Sequence, residues 1–227
     1  MLKIGIIDDG VGIFATYYKL KQAVSADFVC LISDTRFVNM PRERMLAAGA
    51  DMTARLNALG CGVIVLSSVS LSVLAYKRLQ AVCACPLYSS EPPVLHASAY
   101  TASGVLVAGD KRVVNRLSSS TVLPCAMDEF PAFAESGSER EIVEYIERKL
   151  APYDGSFDCI ALADSSMNAY KRCFSRVCPN VQIFDSLEGV ARRIRKKYKK
   201  SAREEGSCAV IDQNGAVIDE KYALFLQ

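Results

Sequence analysis

At 227 residues, 51% of them hydrophobic and 23% charged, the chain can fill one large or two small globular domains and is neither disordered nor fibrous in composition. No apolar run approaches the length that spans a bilayer, and the first residues lack the basic and apolar regions of a secretory signal, so the expectation is a cytoplasmic protein with no membrane partner. Nine cysteines, an odd number without such a signal, argue against a disulfide framework. A single histidine, His96, and a Cys83-Ala-Cys85 pair too tightly spaced for a zinc knuckle argue against a metal centre, and no cofactor is expected.

Lys3 to Asp8 reads as a buried parallel strand closing on Asp8 and Asp9, then Gly10 and Gly12, then an amphipathic helix from Ile13 to Ala23. In open α/β sheets ligands lie beyond the carboxyl ends of strands, which makes Asp8 and Asp9 candidates for chemistry; the same carboxylates also suit a helix-capping turn. Phe28 to Ile32 is a second strand, and Pro41 to Leu59 a long helix stopped by Gly60. Gly62 to Leu66 is a third strand ending in Ser67 and Ser68, followed by a helix over Ser70 to Gln80 and a short strand over Cys83 to Tyr88. After Glu91 the alternation resumes. It places a helix over Pro92 to Ala102, a strand from Gly104 to Ala108 before Gly109-Asp110, and a strand over Val122 to Pro124. A helix then covers Ser138 to Leu150, a strand Phe157 to Ala163 ends in Asp164-Ser165-Ser166, and another, Val181 to Phe184, ends in Asp185-Ser186. A helix from Leu187 to Arg203 leads to strands at Cys208 to Asp212 and Ala216 to Ile218, joined by the hairpin signal Asn214-Gly215.

Strands alternating with helices argue for parallel βαβ units. The expected fold is α/β: two similar lobes, each a mainly parallel sheet flanked by helices, with a cleft between. Residues 1–90 plus 186–227 form one lobe and 91–185 the other. If the lobes face each other, the small polar and acidic groups at the strand ends line that cleft. The net charge of +2 is unevenly spread, with Arg192, Arg193, Arg195, Lys196, Lys197, Lys199, Lys200 and Arg203 in one segment. No aromatic platform or nucleic-acid motif accompanies them, so the segment reads as the solvated end of a helix and not as a nucleic-acid surface.

In series, these motifs resemble the aspartate/glutamate racemase superfamily, and glutamate racemase most closely. Asp8-Asp9-Gly10-Val11-Gly12 is similar to the family's Asp-Ser-Gly-Val-Gly-Gly turn, and Ser33-Asp34-Thr35 to its Gly-Asp-Thr. Glu91-Pro92, Pro124-Cys125-Ala126 with Glu135-Ser136-Gly137, and Asp185-Ser186 follow in the family's order. The resemblance implies a cofactor-independent amino-acid racemase, a homodimer, and a small-molecule site between the lobes. Family members racemise by placing one cysteine on each face of the substrate α-carbon. Here the first cysteine turn reads Leu66-Ser67-Ser68-Val69 and the second Ala163-Asp164-Ser165-Ser166, and the Pro-Tyr-Gly substrate loop reads Asn39-Met40-Pro41. Asp8, Ser67 and Asp164 therefore stand at the family's catalytic positions. Asp9, Asn39, Met40, Ser68, Val69, Glu91, Ser165, Ser166 and Asp185 stand at its ligand contacts.

A thiol of reference pKa about 8.5 can be poised as a thiolate, whereas a serine hydroxyl needs a dedicated base. Cys61 lies six residues before Ser67 in a strand rising about 3.3 Å per residue, too far to replace it. The expected protein is glutamate-racemase-like without two-cysteine racemisation, keeping at most a small-molecule cleft. The alternative is an active isomerase, decarboxylase or lyase on a small carboxylic or amino acid, with Asp8 and Asp164 as acid and base. The weaker alternative is a polyanion-binding protein acting through the 192–203 segment.

Overall fold

The computed structural model describes residues 2–136, 138–198 and 206–218. The chain begins with β1 (Lys3–Asp8), α1 (Gly12–Ala23), β2 (Asp27–Ile32), α2 (Arg42–Ala58) and β3 (Val63–Leu66). Two short helices follow, α3 (Val69–Leu74) and α4 (Tyr76–Val82), and then β4 (Leu87–Ser89) and α5 (Val94–Ser98). Next come β5 (Val105–Gly109), α6 (Lys111–Leu117), β6 (Val122–Ala126), α7 (Phe130–Ser136) and α8 (Glu139–Leu150). The last elements are β7 (Cys159–Ala163), α9 (Ser165–Ala169), α10 (Lys171–Val177), β8 (Gln182–Phe184), α11 (Leu187–Lys197) and β9 (Cys208–Asp212).

Two sheets result, in the orders β4-β3-β1-β2-β9 and β6-β5-β7-β8, and every pairing between their strands is parallel. This is the expected α/β architecture of two parallel sheets flanked by helices. β1 sits at the centre of the first sheet, with Ile7 beside Leu31 and Leu66. A strand covered on both faces must be apolar throughout, and β1 is buried from Ile4 to Asp8. In the second sheet β5 and β7 run side by side with Gly109 opposite Ala163, so Asp110 and Asp164 leave neighbouring strands at the same level.

The two sheets share one apolar cluster. It runs from Ile4 and Ile6 of β1 through Phe14 of α1 to Leu106 and Leu162 of the second sheet, and on to Phe130 and Phe174. α1 is the hinge pin of this arrangement, packed on both α9 and α11.

Several elements depart from the sequence pattern. The helix expected over 70–80 is two helices, broken where Ala75 leaves helical geometry (φ −125°, ψ −14°). The helix expected over 92–102 is only Val94–Ser98, and the strand expected over 83–88 is Leu87–Ser89. Helices α6, α7, α9 and α10 were not anticipated: each is seven residues or fewer, too short for an apolar stripe to declare itself. The Asn214-Gly215 turn forms, with Gly215 at φ +86° and its N–H donating to Asp212 O at 3.0 Å. Its second arm, however, contributes only one bridge, Ile211 to Val217, in place of a strand. α11 ends at Lys197, and Lys199, Lys200 and Arg203 of the basic segment lie outside the described residues. Among the described residues no helix is long and apolar enough to cross a membrane.

Candidate functional site

The ends of three strands converge beside α1. Ser67 and Ser68 N–H groups both donate to Ile7 O (2.9 and 3.2 Å), which fixes the turn after β3 against the end of β1. Asp8 Oδ1 accepts the Asp9 N–H at 2.8 Å and the Ser165 hydroxyl at 2.9 Å. The second of these crosses from one sheet to the other. Ser67 also hydrogen-bonds Asp8 and shares a 2.7 Å hydroxyl contact with Thr16 of α1. Asp8, Ser67, Ser68, Val69, Ser165 and Ser166 are all buried. Asp8 Oδ2 is buried with no hydrogen-bond partner among the described residues.

Gly12 explains how closely the halves approach. A Cβ at that position would collide with the backbone of Ser165, so only glycine lets the start of α1 rest on the start of α9. The halves are thus in direct contact where the start of α1 meets the start of α9.

Three carboxylates share this region, and burial raises the pKa of each. Burial pushes Asp8 well above the usual carboxylate range; the charge of Asp9 adds to it, and the bonds from Ser67, the Asp9 N–H and Ser165 oppose it. Burial also raises Asp9, against the Phe37 N–H, which it accepts at 2.6 Å, and the attraction of Arg36. Asp164 is raised to about 6, first by burial and then by the charge of Asp9, with the Ser166 bonds and Arg36 pulling it down. Its Oδ1 caps α9 by accepting the Ser166 N–H at 2.9 Å and takes the Ser166 hydroxyl as well. Arg36 pairs with Glu135 and donates to Pro131 O at 3.3 Å, and a small cavity of about 90 Å³ lies among Asp9, Arg36, Ser33 and Glu135.

A second acidic device lies alongside. Asp110, at the end of β5, is buried; its Oδ2 accepts the Ser70 hydroxyl of α3 at 2.9 Å and Arg112 Nη2 at 2.6 Å. Its Oδ1 accepts the Arg112 N–H at 2.8 Å and Nε at 3.2 Å. Arg112 continues across to the first sheet, donating to Phe37 O at 2.7 Å and to Met40 O. Burial alone would raise Asp110, but the Arg112 and Ser70 bonds hold it below the usual range.

Of the residues singled out from sequence, Asp8, Asp9, Ser67, Ser68, Val69, Asp164, Ser165 and Ser166 are gathered at these strand ends. Met40 contributes its carbonyl to Arg112, and Asn39 is exposed with a left-handed φ of +60°. Glu91 and Asp185 line a different cavity, together with Ser186 and Arg192. Thr16, Arg36, Asp110 and Arg112 were missed. The Gly109-Asp110 strand end carried the same signal as Asp8 and Asp164; the arginines carried none, because only the fold brings them across. Among the described residues no group of three or more His, Cys, Asp or Glu is arranged to hold a metal ion.

This architecture is found in solved racemases. Glutamate racemase from Thermus thermophilus, in complex with β-chloro-D-alanine, superposes with a TM-score of 0.82 at 17% identity, over 99% of this chain and 91% of that one. Glutamate racemase from Francisella tularensis subsp. tularensis SCHU S4, in complex with D-glutamate, gives 0.80 at 13% identity, over 100% and 94%. Allantoin racemase from Klebsiella pneumoniae gives 0.60 at 12% identity, over 86% and 87%. The chain therefore has the fold of the aspartate/glutamate racemase superfamily, and within it the two-lobed form of the glutamate racemases. No protein-family model matches the sequence, and no curated protein matches it.

Proposed function

We propose that this protein keeps the glutamate-racemase scaffold without two-cysteine racemisation, its catalytic positions given over to a carboxylate–hydroxyl contact between the lobes. The observation that carries the reading is the 2.9 Å bond from Ser165 to the buried Asp8, drawn straight across the place where a substrate would separate them. The thiols support it. Burial pushes Cys61 and Cys125 up to about 11 and Cys85 to about 12, so they stay protonated at neutral pH, and a protonated thiol takes no α-proton. Lobe boundaries at 1–90 with 186–227 and 91–185, a homodimer and a cytoplasmic location belong to the same proposal. The test is hydrogen exchange: D- and L-glutamate, and both aspartates, incubated in heavy water with the protein. The expected result is no deuterium at the α-carbon; interconversion of enantiomers would overturn the proposal.

A second reading rests on Asp164. A carboxylate whose pKa has been raised to about 6 is a far better acid–base group near neutrality than an ordinary aspartate. As a single base it supports proton exchange, decarboxylation or lyase chemistry on a small carboxylic or amino acid, with Ser166 holding it in place. Deuterium incorporation without inversion, abolished by Asp164→Asn, would establish this reading in place of the first.

A further inference from the structure

The two passages of chain between the sheets, one after β4 and one after β8, meet at a cavity of about 250 Å³. One wall is the start of α11 over its first two turns, Ser186, Gly189, Arg192 and Arg193; the other includes Glu91, with Asp185 between. Helix starts leave N–H groups without partners, and here the cap is incomplete. Asp185 Oδ1 accepts the Leu187 N–H at 3.0 Å and Ser186 O accepts Val190 at 3.2 Å. Among the described bonds the N–H groups of Glu188 and Gly189 have no acceptor. Ser186 makes no capping bond through its side chain, and its Oγ, in a residue only 3% exposed, is buried with no partner among the described residues. Such an orphan marks a place where a ligand group completes the bonding. Space is open there, since a Cβ at Gly189 would meet nothing within 4 Å.

The charges agree. Arg192 is exposed and has no ion pair among the described residues, while Arg193 donates to Ser89 O. Asp185 is neutralised by Lys171 at 2.6 Å. Glu91, holding the Ser89 hydroxyl at 3.2 Å, is left to meet a hydroxyl or ammonium group. We propose that the first turn of α11, with Ser186 and Arg192, binds the phosphate or carboxylate group of a small ligand at this crossing point, apart from the Asp8 cluster.

The full chain is titrated with inorganic phosphate, and in a second arm with acetate, at constant ionic strength, while backbone amides are followed by NMR. The expected result is saturable shifts at the Glu188 and Gly189 amides, the tighter arm naming the group. Arg192→Gln weakens binding about tenfold, the loss of one charged hydrogen bond. Ser186→Ala weakens it several-fold, and Arg195→Gln in the last turn leaves it unchanged. Absence of saturation at Glu188 and Gly189 in both arms overturns the proposal. So does equal weakening by Arg192→Gln and Arg195→Gln, which would mean general attraction to a basic helix. Should Ser186→Ala fail to fold, the exposed Arg192 still decides the matter.

Discussion

Asp8 and Asp110 are the same residue type in the same situation, and they have opposite characters. Each ends a central strand, each is essentially fully buried, and each accepts a serine hydroxyl from the other half of the molecule, Ser165 for Asp8 and Ser70 for Asp110. Only Asp110 has a guanidinium. Arg112 supplies it with charge-assisted bonds, and its carboxyl is held low; Asp8 has hydroxyls, one amide and a like-charged neighbour, and its carboxyl is driven high. A buried carboxylate with a cation is a structural rivet, ionised and fixed. Without one it resists ionisation.

The most severe way to break this contrast is Arg112→Ala. It would leave Asp110 buried without its cation, and would free Phe37 O and Met40 O as well. The expected loss is about 3 kcal/mol or more, read as a lower urea midpoint at pH 7. Arg112→Lys recovers little, because a point charge cannot serve the carboxylate and two carbonyls at once. The effect has a pH signature. A carboxylate whose folded pKa is depressed contributes stability above its unfolded value and loses it as pH falls through the folded one. The gap between wild type and Arg112→Ala therefore narrows in acid, below about pH 4, leaving the part due to the lost carbonyl bonds.

Asp164 titrates in the opposite sense and gives the next largest effect. Its folded value of about 6 lies above the ordinary aspartate value of about 3.9, so the native state binds more protons than the unfolded chain between those limits. Stability from this group is greatest at or below the unfolded value and falls as pH rises toward 6. Asp164→Asn keeps an oxygen to cap α9 and removes the charge. It is expected to stabilise the protein at pH 8, by at most about 3 kcal/mol, and to do almost nothing at pH 4. Chemical denaturation at the two pH values measures it. A variant equally destabilised at both would mean the carboxylate is ionised and needed.

How much of this was readable beforehand depended on whether a feature is local. The strand ends at Asp8, Ser67 and Asp164 were legible because an apolar run followed by a polar group is a local pattern. Parallel topology then forces such ends onto one side of each sheet. Long helices with complete signals were legible too: α8 opens with Ser138 and Glu141 in a reciprocal capping box and fell within a residue of expectation. The Arg112 bridge was not, since Arg112 and Met40 are 72 positions apart and nothing in either stretch refers to the other. Nor was the contact of the two halves beside Asp8. That depends on Gly12 meeting Ser165, and a glycine after Gly10 reads equally well as turn, ligand approach or helix packing.

Ser165→Ala is the mildest of these changes and the one that addresses the crossing of the halves most directly. The hydroxyl contributes a hydrogen bond that favours the ionised form of Asp8, so its loss pushes that carboxyl higher still. A bond to a buried charged group contributes about 1–3 kcal/mol, and the low end applies where the carboxyl is protonated. The cost should therefore be smallest in acid, about 1 kcal/mol, and grow as pH rises, opposite in sign to the Asp164→Asn gain. Alanine also leaves the Gly12–Ser165 backbone contact in place, so the helices should not separate. If the cost is flat across pH, the Ser165 hydroxyl is only filling space. If it increases with pH, Asp8 is the titrating group at the junction, and its hydroxyl partner holds the halves together by stabilising the anion.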